Sequence, residues 1–280
     1  MTIRLEKPLF TFQVITDTHI TNDPTHEYNI HFERALRDIA LIDPESKGIM
    51  HVGDLTDHGF PAEYEQFQNL LAEHQEQLPP LYIASGNHDV GLGNWNERIN
   101  RFMNETGNST LYHDHWIEDH HFIFLGTEAG LAKFCTLSVA QLAWLDERLQ
   151  QNASESKPIF LFLHQPLQNT VAGSLTHQDW YGVTEDDELK AIIEKYPQII
   201  LFTGHTHWEL GAPYTYYDHK PAMLNAASVA YLWTDEDEPK NGSHGYYIEV
   251  YSDHVLIRGR DFMNQQWLPE AEYKILYRAQ

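Results

Sequence analysis

Five short apolar runs in this chain end in the same kinds of residue. Phe10–Thr16 leads into Asp17-Thr18-His19, Ile49–Val52 into Gly53-Asp54, and Leu81–Ala84 into Ser85-Gly86-Asn87-His88-Asp89. Further on, Ile159–Leu163 stops at His164, and Ile199–Phe202 at Thr203-Gly204-His205-Thr206-His207. Short apolar runs bounded by turn residues read as buried strands. Their carboxyl ends are where open α/β sheets bind ligands, because the chain turns outward there and several loops converge on one crevice. Turn chemistry accounts for an Asp or Asn at one strand end. It does not account for metal-type side chains at five.

The intervening segments read as cover for those strands. After Pro61, Tyr64, Phe67, Leu71, His74 and Leu78 recur at steps of three and four and predict a helix with one apolar stripe. Ser138 followed by Gln141 predicts a capping box, with Leu142, Leu145 and Leu149 as the buried face of a second helix. Phe122–Gly126 reads as a further strand, and the polar segment 152–157 before Pro158 as a connection. From about Gly211 the pattern becomes aromatic and alternating. His244–Tyr251 and His254–Asp261 read as antiparallel strands that complete a second sheet, and Asp235–Glu238 as a solvated loop. The 280 residues fit a single domain, with its chemical core at about 10–210 and with second-sheet strands and substrate-facing loops in 211–280.

The formal charge of −23 sets the chain against polyanions, so neither nucleic acid nor an anionic membrane surface is expected as a partner. A phosphate-handling enzyme with that field needs local positive charge, which bound cations supply. Cys135 is the lone cysteine, the first ten residues carry Arg4, Glu6, Lys7 and Pro8, and no stretch approaches the ~20 apolar residues of a membrane span. These features read as a cytoplasmic protein.

Oxygen and imidazole donors without thiolates suit manganese, iron, zinc or nickel rather than calcium or a structural zinc cluster. One ion needs only three or four of these groups, so the surplus points to two ions sharing a carboxylate. Asp17 and His19 stand two positions apart, as do His205 and His207, and in an extended chain each pair points to one side. Gly53, Gly86 and Gly204 each precede one of the candidates, where a missing side chain permits a tight turn.

The series Asp17-x-His19, Gly53-Asp54, Gly86-Asn87-His88-Asp89, His164 and Gly204-His205-x-His207 resembles the calcineurin-like metallophosphoesterase signature in order and completeness. The resemblance implies a four-layer α-β-β-α sandwich of two packed mixed sheets flanked by helices. It implies that Asp17, His19 and His207 hold one metal, that Asn87, His164 and His205 hold the other, and that Asp54 bridges them. His88 would be the catalytic histidine outside the metal shell, and Asp89 would orient it. Thr16-Asp17-Thr18-His19 and Gly53-Asp54-Leu55-Thr56-Asp57-His58-Gly59, followed by Glu63-Tyr64, are similar to the bacterial class III cyclic nucleotide phosphodiesterase branch.

The chemistry so implied uses two divalent or trivalent ions, manganese or iron first, with zinc or nickel as alternatives. Such a pair acidifies the water between them and clamps the attacking and leaving oxygens of an in-line displacement. The expected substrate is a small phosphoester, most simply a nucleotide diester. A phosphomonoesterase with the same metals and a non-catalytic scaffold of the same fold are the rivals, and His88 argues against the scaffold. Asp57 and His58 are candidates to touch substrate or steady the ligands, with turn chemistry an equal reading of Asp57. Packing is the first reading of His51, His74, His113, His115, His120 and His121, and of Tyr214, Tyr216, Tyr217 and Trp233.

Overall fold

The computed structural model describes residues 7–151, 154–180 and 182–277. Asn152 and Ala153, in the connection expected before Pro158, lie outside them, as do residues 1–6 of the amino-terminal segment. In chain order the strands are β1 (Phe10–Ile15), β2 (Ile49–His51), β3 (Leu81–Ile83), β4 (His113–Ile117), β5 (His120–Phe124), β6 (Ile159–Phe162) and β7 (Ile199–Thr203). They continue with β8 (Tyr216–Tyr217), β9 (Ala222–Asn225), β10 (Leu232–Trp233), β11 (Pro239–Lys240), β12 (His244–Val250), β13 (His254–Asp261) and β14 (Gln266–Leu276). The helices are α1 (Glu27–Ile42), α2 (Pro61–His74), α3 (Asn87–Val90), α4 (Trp95–Thr106), α5 (Val139–Gln150) and α6 (Asp186–Ile193).

Two six-stranded mixed sheets form, ordered β14-β13-β12-β1-β2-β3 and β4-β5-β6-β7-β9-β8. Strands β1 to β3 run parallel in the first, and β5, β6, β7 and β9 run parallel in the second. Strand period sorts the core into layers. Phe122, Phe124, Phe160, Phe162, Ile200 and Phe202 point inward against Phe12, Val14 and Met50 of the first sheet. Their neighbours Ile123, Leu161 and Leu201 point outward, onto Leu142, Leu145 and Leu149 of α5 and Leu189 and Ile193 of α6. On the other outer face, Ile15, Ile49 and Ile83 meet Phe32, Leu36 and Ile39 of α1 and Tyr64, Phe67 and Leu70 of α2. The result is the expected α-β-β-α sandwich. Phe12 crosses between the sheets, edge-on to Phe160 at 4.8 Å and to Phe122 at 5.1 Å.

Three expectations change. The strands after residue 211 do not all build the second sheet: β8 and β9 join it, but β12–β14 extend the first through the antiparallel β1–β12 pair. The alternation in these segments fixed them as strands, but the edge they join depends on β1 having a free side opposite β2. Ser138 does cap α5 by accepting from the Gln141 N–H at 3.1 Å, yet the Gln141 side chain turns to the Gly126 carbonyl and Glu128. Glu128 Oε2 takes over the reciprocal bond to the Ser138 N–H at 2.6 Å. Helix α2 ends at His74, so Leu78 lies past it and Leu70 joins its buried line. No helix among the described residues is long and apolar enough to cross a membrane.

Candidate metal centre

The carboxyl ends of β1, β2, β6 and β7, together with the start of α3, converge where the two sheets meet. Asp17 N–H donates to the Gly53 carbonyl at 3.0 Å, His19 N–H to the Asp54 carbonyl at 3.1 Å, and Gly204 N–H to the His164 carbonyl at 2.9 Å. The backbone thus ties the strand ends together before any side chain is considered. Close approach requires two glycines: a Cβ at Gly86 would overlap the Asp54 carboxylate, and one at Gly204 would overlap Thr16 Oγ1 and Asp17 Oδ2.

Asp17, His19 and His207 form one cluster. Oδ1 of Asp17 lies 2.9 Å from His207 Nε2 and 3.6 Å from His19 Nε2, and the two imidazole nitrogens are 3.2 Å apart. Asp54, His164 and His205 form a second cluster, with Asp54 Oδ2 3.0 Å from His164 Nε2. The same Asp54 oxygen is 3.8 Å from His19 Nε2, so one carboxylate faces both clusters. Asp54 also groups with His19 and His88. Asn87 opens α3, its amide donating to the Ala132 carbonyl at 2.9 Å while its Oδ1 accepts from Gln165 at 3.1 Å.

Among the described residues, Asp17 Oδ1, His164 Nε2 and His205 Nε2 lack a well-aligned hydrogen bond in this buried cage, the first two having only the ion-pair contacts given above. Buried polar atoms are ordinarily satisfied, and here the orphans converge, which is the chemistry a bound cation completes. Asp17 and Asp54 are held well below the usual carboxylate range. Burial works against this, but His207 and His164 beside Asp17, and His164 and His88 beside Asp54, outweigh it. The reciprocal effect acts on the imidazoles. Burial would lower His19, but bonding to Asp17 and Asp57 pushes it up to about 10, and Asp54 and Asp17 push His164 up to about 9. Burial, reinforced by the neighbouring His164, takes His205 down to about 3. Without cations, two of the imidazoles carry the charge that balances the carboxylates.

The backbone departs from the extended geometry expected for the Asp17/His19 and His205/His207 pairs. Asp17 (φ 52°), His19 (43°), Asp54 (52°), His205 (70°) and His207 (59°) all adopt the left-handed conformation. Such positions cost roughly 1–3 kcal/mol each and persist only where the surroundings over-determine them. Asp17 Oδ2 supplies part of that constraint by accepting from Thr16 Oγ1 at 2.6 Å and from the His205 N–H at 3.0 Å.

His88 and Asp89 sit beside the clusters, and Asp89 has other partners than the one expected. Asp89 does not serve the His88 ring. Its oxygens accept from the N–H groups of Gly86, Leu55 and Thr56 and from Thr56 Oγ1, clamping the loop after β2 to the start of α3. Burial and the nearby Asp54 charge push Asp89 up to about 7. The ring of His88 is oriented instead by the Asp57 carbonyl, 2.6 Å from Nδ1, while the backbone N–H of His88 donates to Asp54 Oδ1 at 2.8 Å. The Asp57 carboxylate lies 3.3 Å from His19 Nδ1 and 3.0 Å from His58 Nδ1.

Sequence reasoning missed Gln165, Tyr28, Tyr231 and Trp180. The Tyr231 ring lies 4.4 Å from that of His207 and stacks on Tyr28 at 5.3 Å, while Trp180 stands edge-on to His205 at 6.2 Å. Only Gln165 carried a signal, by following His164 directly. Trp233 packs near Trp180 at 5.7 Å, whereas Tyr216 packs on Tyr273 and lines a 640 Å³ cavity at the opposite ends of β6, β7 and β9. His113 stacks on Phe124 at 4.8 Å, and His51 is buried against Thr18, in keeping with packing.

Two histidine–carboxylate clusters at the shared edge of a four-layer sandwich belong to a class of hydrolases, the metal-dependent phosphoesterases. The chain belongs to the calcineurin-like phosphoesterase family, whose model matches residues 10–209. It is 25% identical over 228 residues to a 3',5'-cyclic-nucleotide phosphodiesterase of Nostoc sp., covering 76% of this chain and 80% of that one. It is 27% identical over 204 residues to a probable glycerophosphodiester phosphodiesterase of Arcobacter nitrofigilis, covering 69% and 70%. A human serine/threonine-protein phosphatase is 26% identical over 193 residues, covering 65% of this chain and 60% of its own. Among solved structures, a dimetal phosphatase from Danio rerio superposes with a TM-score of 0.71 at 14% identity, over 97% of this chain and all of that one, and shares the fold.

Proposed function

We propose that this chain is a dinuclear metal phosphodiesterase acting on a small nucleotide ester, cyclic ones included. Asp17, His19 and His207 would hold one ion, Asn87, His164 and His205 the other, and Asp54 would bridge them, with manganese or iron as the resident metals. The observation that carries this reading is the position of Asp54 Oδ2, 3.8 Å from His19 Nε2 and 3.0 Å from His164 Nε2. When bound, the two ions supply Lewis acidity to the phosphoryl oxygens and to the attacking water.

The chain's own groups do the rest. Asn87 and His88 face the charge that builds on the phosphoryl oxygens. With the Nδ1 proton committed to the Asp57 carbonyl, His88 acts in its doubly protonated form, passing the Nε2 proton to the departing alkoxide and returning to the neutral imidazole. The Asp57 carboxylate steadies His19 from behind, as outer partners of metal-binding imidazoles do. The names of the Nostoc and Arcobacter relatives support a diester as substrate. The buried free thiol of Cys135 supports a reducing, cytoplasmic setting.

A phosphomonoesterase is the second reading, favoured by the human phosphatase relative. Comparing bis-p-nitrophenyl phosphate with p-nitrophenyl phosphate under added manganese separates the two. Preference for the monoester would overturn the diesterase reading, and failure to hydrolyse either would leave a scaffold.

A further inference from the structure

The loop after Asp54 carries a layered stack that the reaction itself does not require. Arg98, buried in α4, places its guanidinium carbon 4.5 Å from the centroid of the Phe60 ring. The Phe60 ring lies nearly parallel to the His58 ring, at 5.6 Å and 18°. Exposure rises along the stack: Arg98 is 7% exposed, Phe60 49%, and the His58 side chain 52%. The outer layer is therefore a half-exposed imidazole.

The stack is held rigid from beneath. Glu63 Oε2 accepts from the His58 N–H at 3.0 Å and from the Phe60 N–H at 2.9 Å. The Gly59 carbonyl accepts from Arg98 and, at 2.7 Å, from Arg101. Asp57 joins the stack to the reaction centre, since its carboxylate is 3.0 Å from His58 Nδ1 and its carbonyl bonds His88 Nδ1 at 2.6 Å. One residue, Asp57, thus touches both the ring of His58 and the ring of His88. Water competes poorly for a flat, pre-ordered ring face, whereas planar heterocycles and aryl groups stack on it with affinity that is tolerant of sequence.

We propose that the Arg98–Phe60–His58 stack is a specificity platform for the planar ring of the substrate's ester group, a nucleobase or an aryl ring, with His58 as the contact layer. The inference rests on the phosphodiesterase reading and deepens it. It predicts discrimination between ring-bearing and ringless phosphoesters, which the metal cage alone does not provide.

Two variants separate stacking from hydrogen bonding, because both lose the imidazole's contact with Asp57. His58→Ala removes the flat face, whereas His58→Phe keeps it. Binding of adenosine 5'-monophosphate and of glycerol 3-phosphate to the manganese-loaded protein is measured by calorimetry, alongside kcat/KM for bis-p-nitrophenyl phosphate and for glycerophosphoethanolamine. We expect His58→Ala to weaken the nucleotide and the aryl diester by roughly tenfold while both ringless compounds stay within about twofold. In His58→Phe the nucleotide and aryl diester should stay near wild type. Equal losses for ring-bearing and ringless compounds, equal losses in the two variants, or no loss in His58→Ala would each overturn the platform. Absence of diester hydrolysis in the wild type would instead defeat the underlying reading, and the nucleotide-binding comparison would still decide the stacking.

Discussion

The backbone carbonyl of Asp57 lies 2.6 Å from Nδ1 of His88. A carbonyl only accepts, so Nδ1 carries a proton and Nε2 is the ring nitrogen left free of this contact. The contact uses no side chain of Asp57, whose carboxylate is left to face His19 at 3.3 Å.

That division of labour makes two variants diverge. His88→Ala should keep both metals and lose about 10² to 10⁴ in turnover, the usual contribution of a positioned acid. Asp57→Asn keeps the carbonyl but weakens the support of His19, so metal affinity should fall by about 10- to 100-fold. Elemental analysis after gel filtration, read beside kcat, checks both. Loss of metal from His88→Ala would return that histidine to the metal shell.

Asp54→Asn should act on both clusters together. The carboxylate sits between His19 and His164 and accepts the His88 N–H through its other oxygen. Removing its charge should cut metal affinity by more than about 100-fold, beyond the loss of an outer partner, and activity should fall in proportion. Retention of one tightly held equivalent of metal, with the other lost, would show that the two clusters do not share this group.

The parts of this arrangement that were legible in the sequence are those fixed by local pattern. β7 was readable because its residues alternate between two buried faces, and His164 and Asp54 because each closes such a run. Helix α1 was not, since buried Asn29, His31 and Asp38 interrupt its apolar stripe; Asp38 pairs with Arg260, 222 positions away, at 2.7 and 2.8 Å. The left-handed turns at Asp17 and His205 are likewise imposed by contacts between distant strand ends. The hold of Asp57 on His88 was hidden because its atom is a carbonyl that every residue possesses.

The protonation of the cage predicts how it takes up metal. His19, pushed up to about 10, and His164, pushed up to about 9, are both cationic near pH 7 in the metal-free protein. Metal-binding imidazoles are neutral, so binding must release these protons. We expect about two protons released per protein at pH 7.5, fewer as pH rises through 9 toward 10, and apparent affinity that strengthens with pH over the same range. Calorimetry in buffers of differing ionisation enthalpy gives the count directly. A value near zero would mean that these imidazoles are already neutral, or that they do not bind metal.

Gly204 tests whether the close packing of strand ends serves the metals or only the fold. A Cβ there would overlap Thr16 Oγ1 and Asp17 Oδ2, the oxygen that accepts the His205 N–H. Overpacking of this kind costs about 1–3 kcal/mol, so the melting temperature of Gly204→Ala should fall by about 2–10 °C. Gly107 is the control, because at φ 74° its backbone resists a side chain, yet among the described residues nothing lies within 4 Å of its added Cβ. Gly107→Ala should lose about 1 kcal/mol from backbone strain alone and keep its full metal content. Gly204→Ala should lose metal as well, since Asp17 cannot stay both beside His207 and clear of the new methyl group. Equal metal content in the two variants would show that Asp17 can move without cost to the cage, and would detach the glycine from the chemistry.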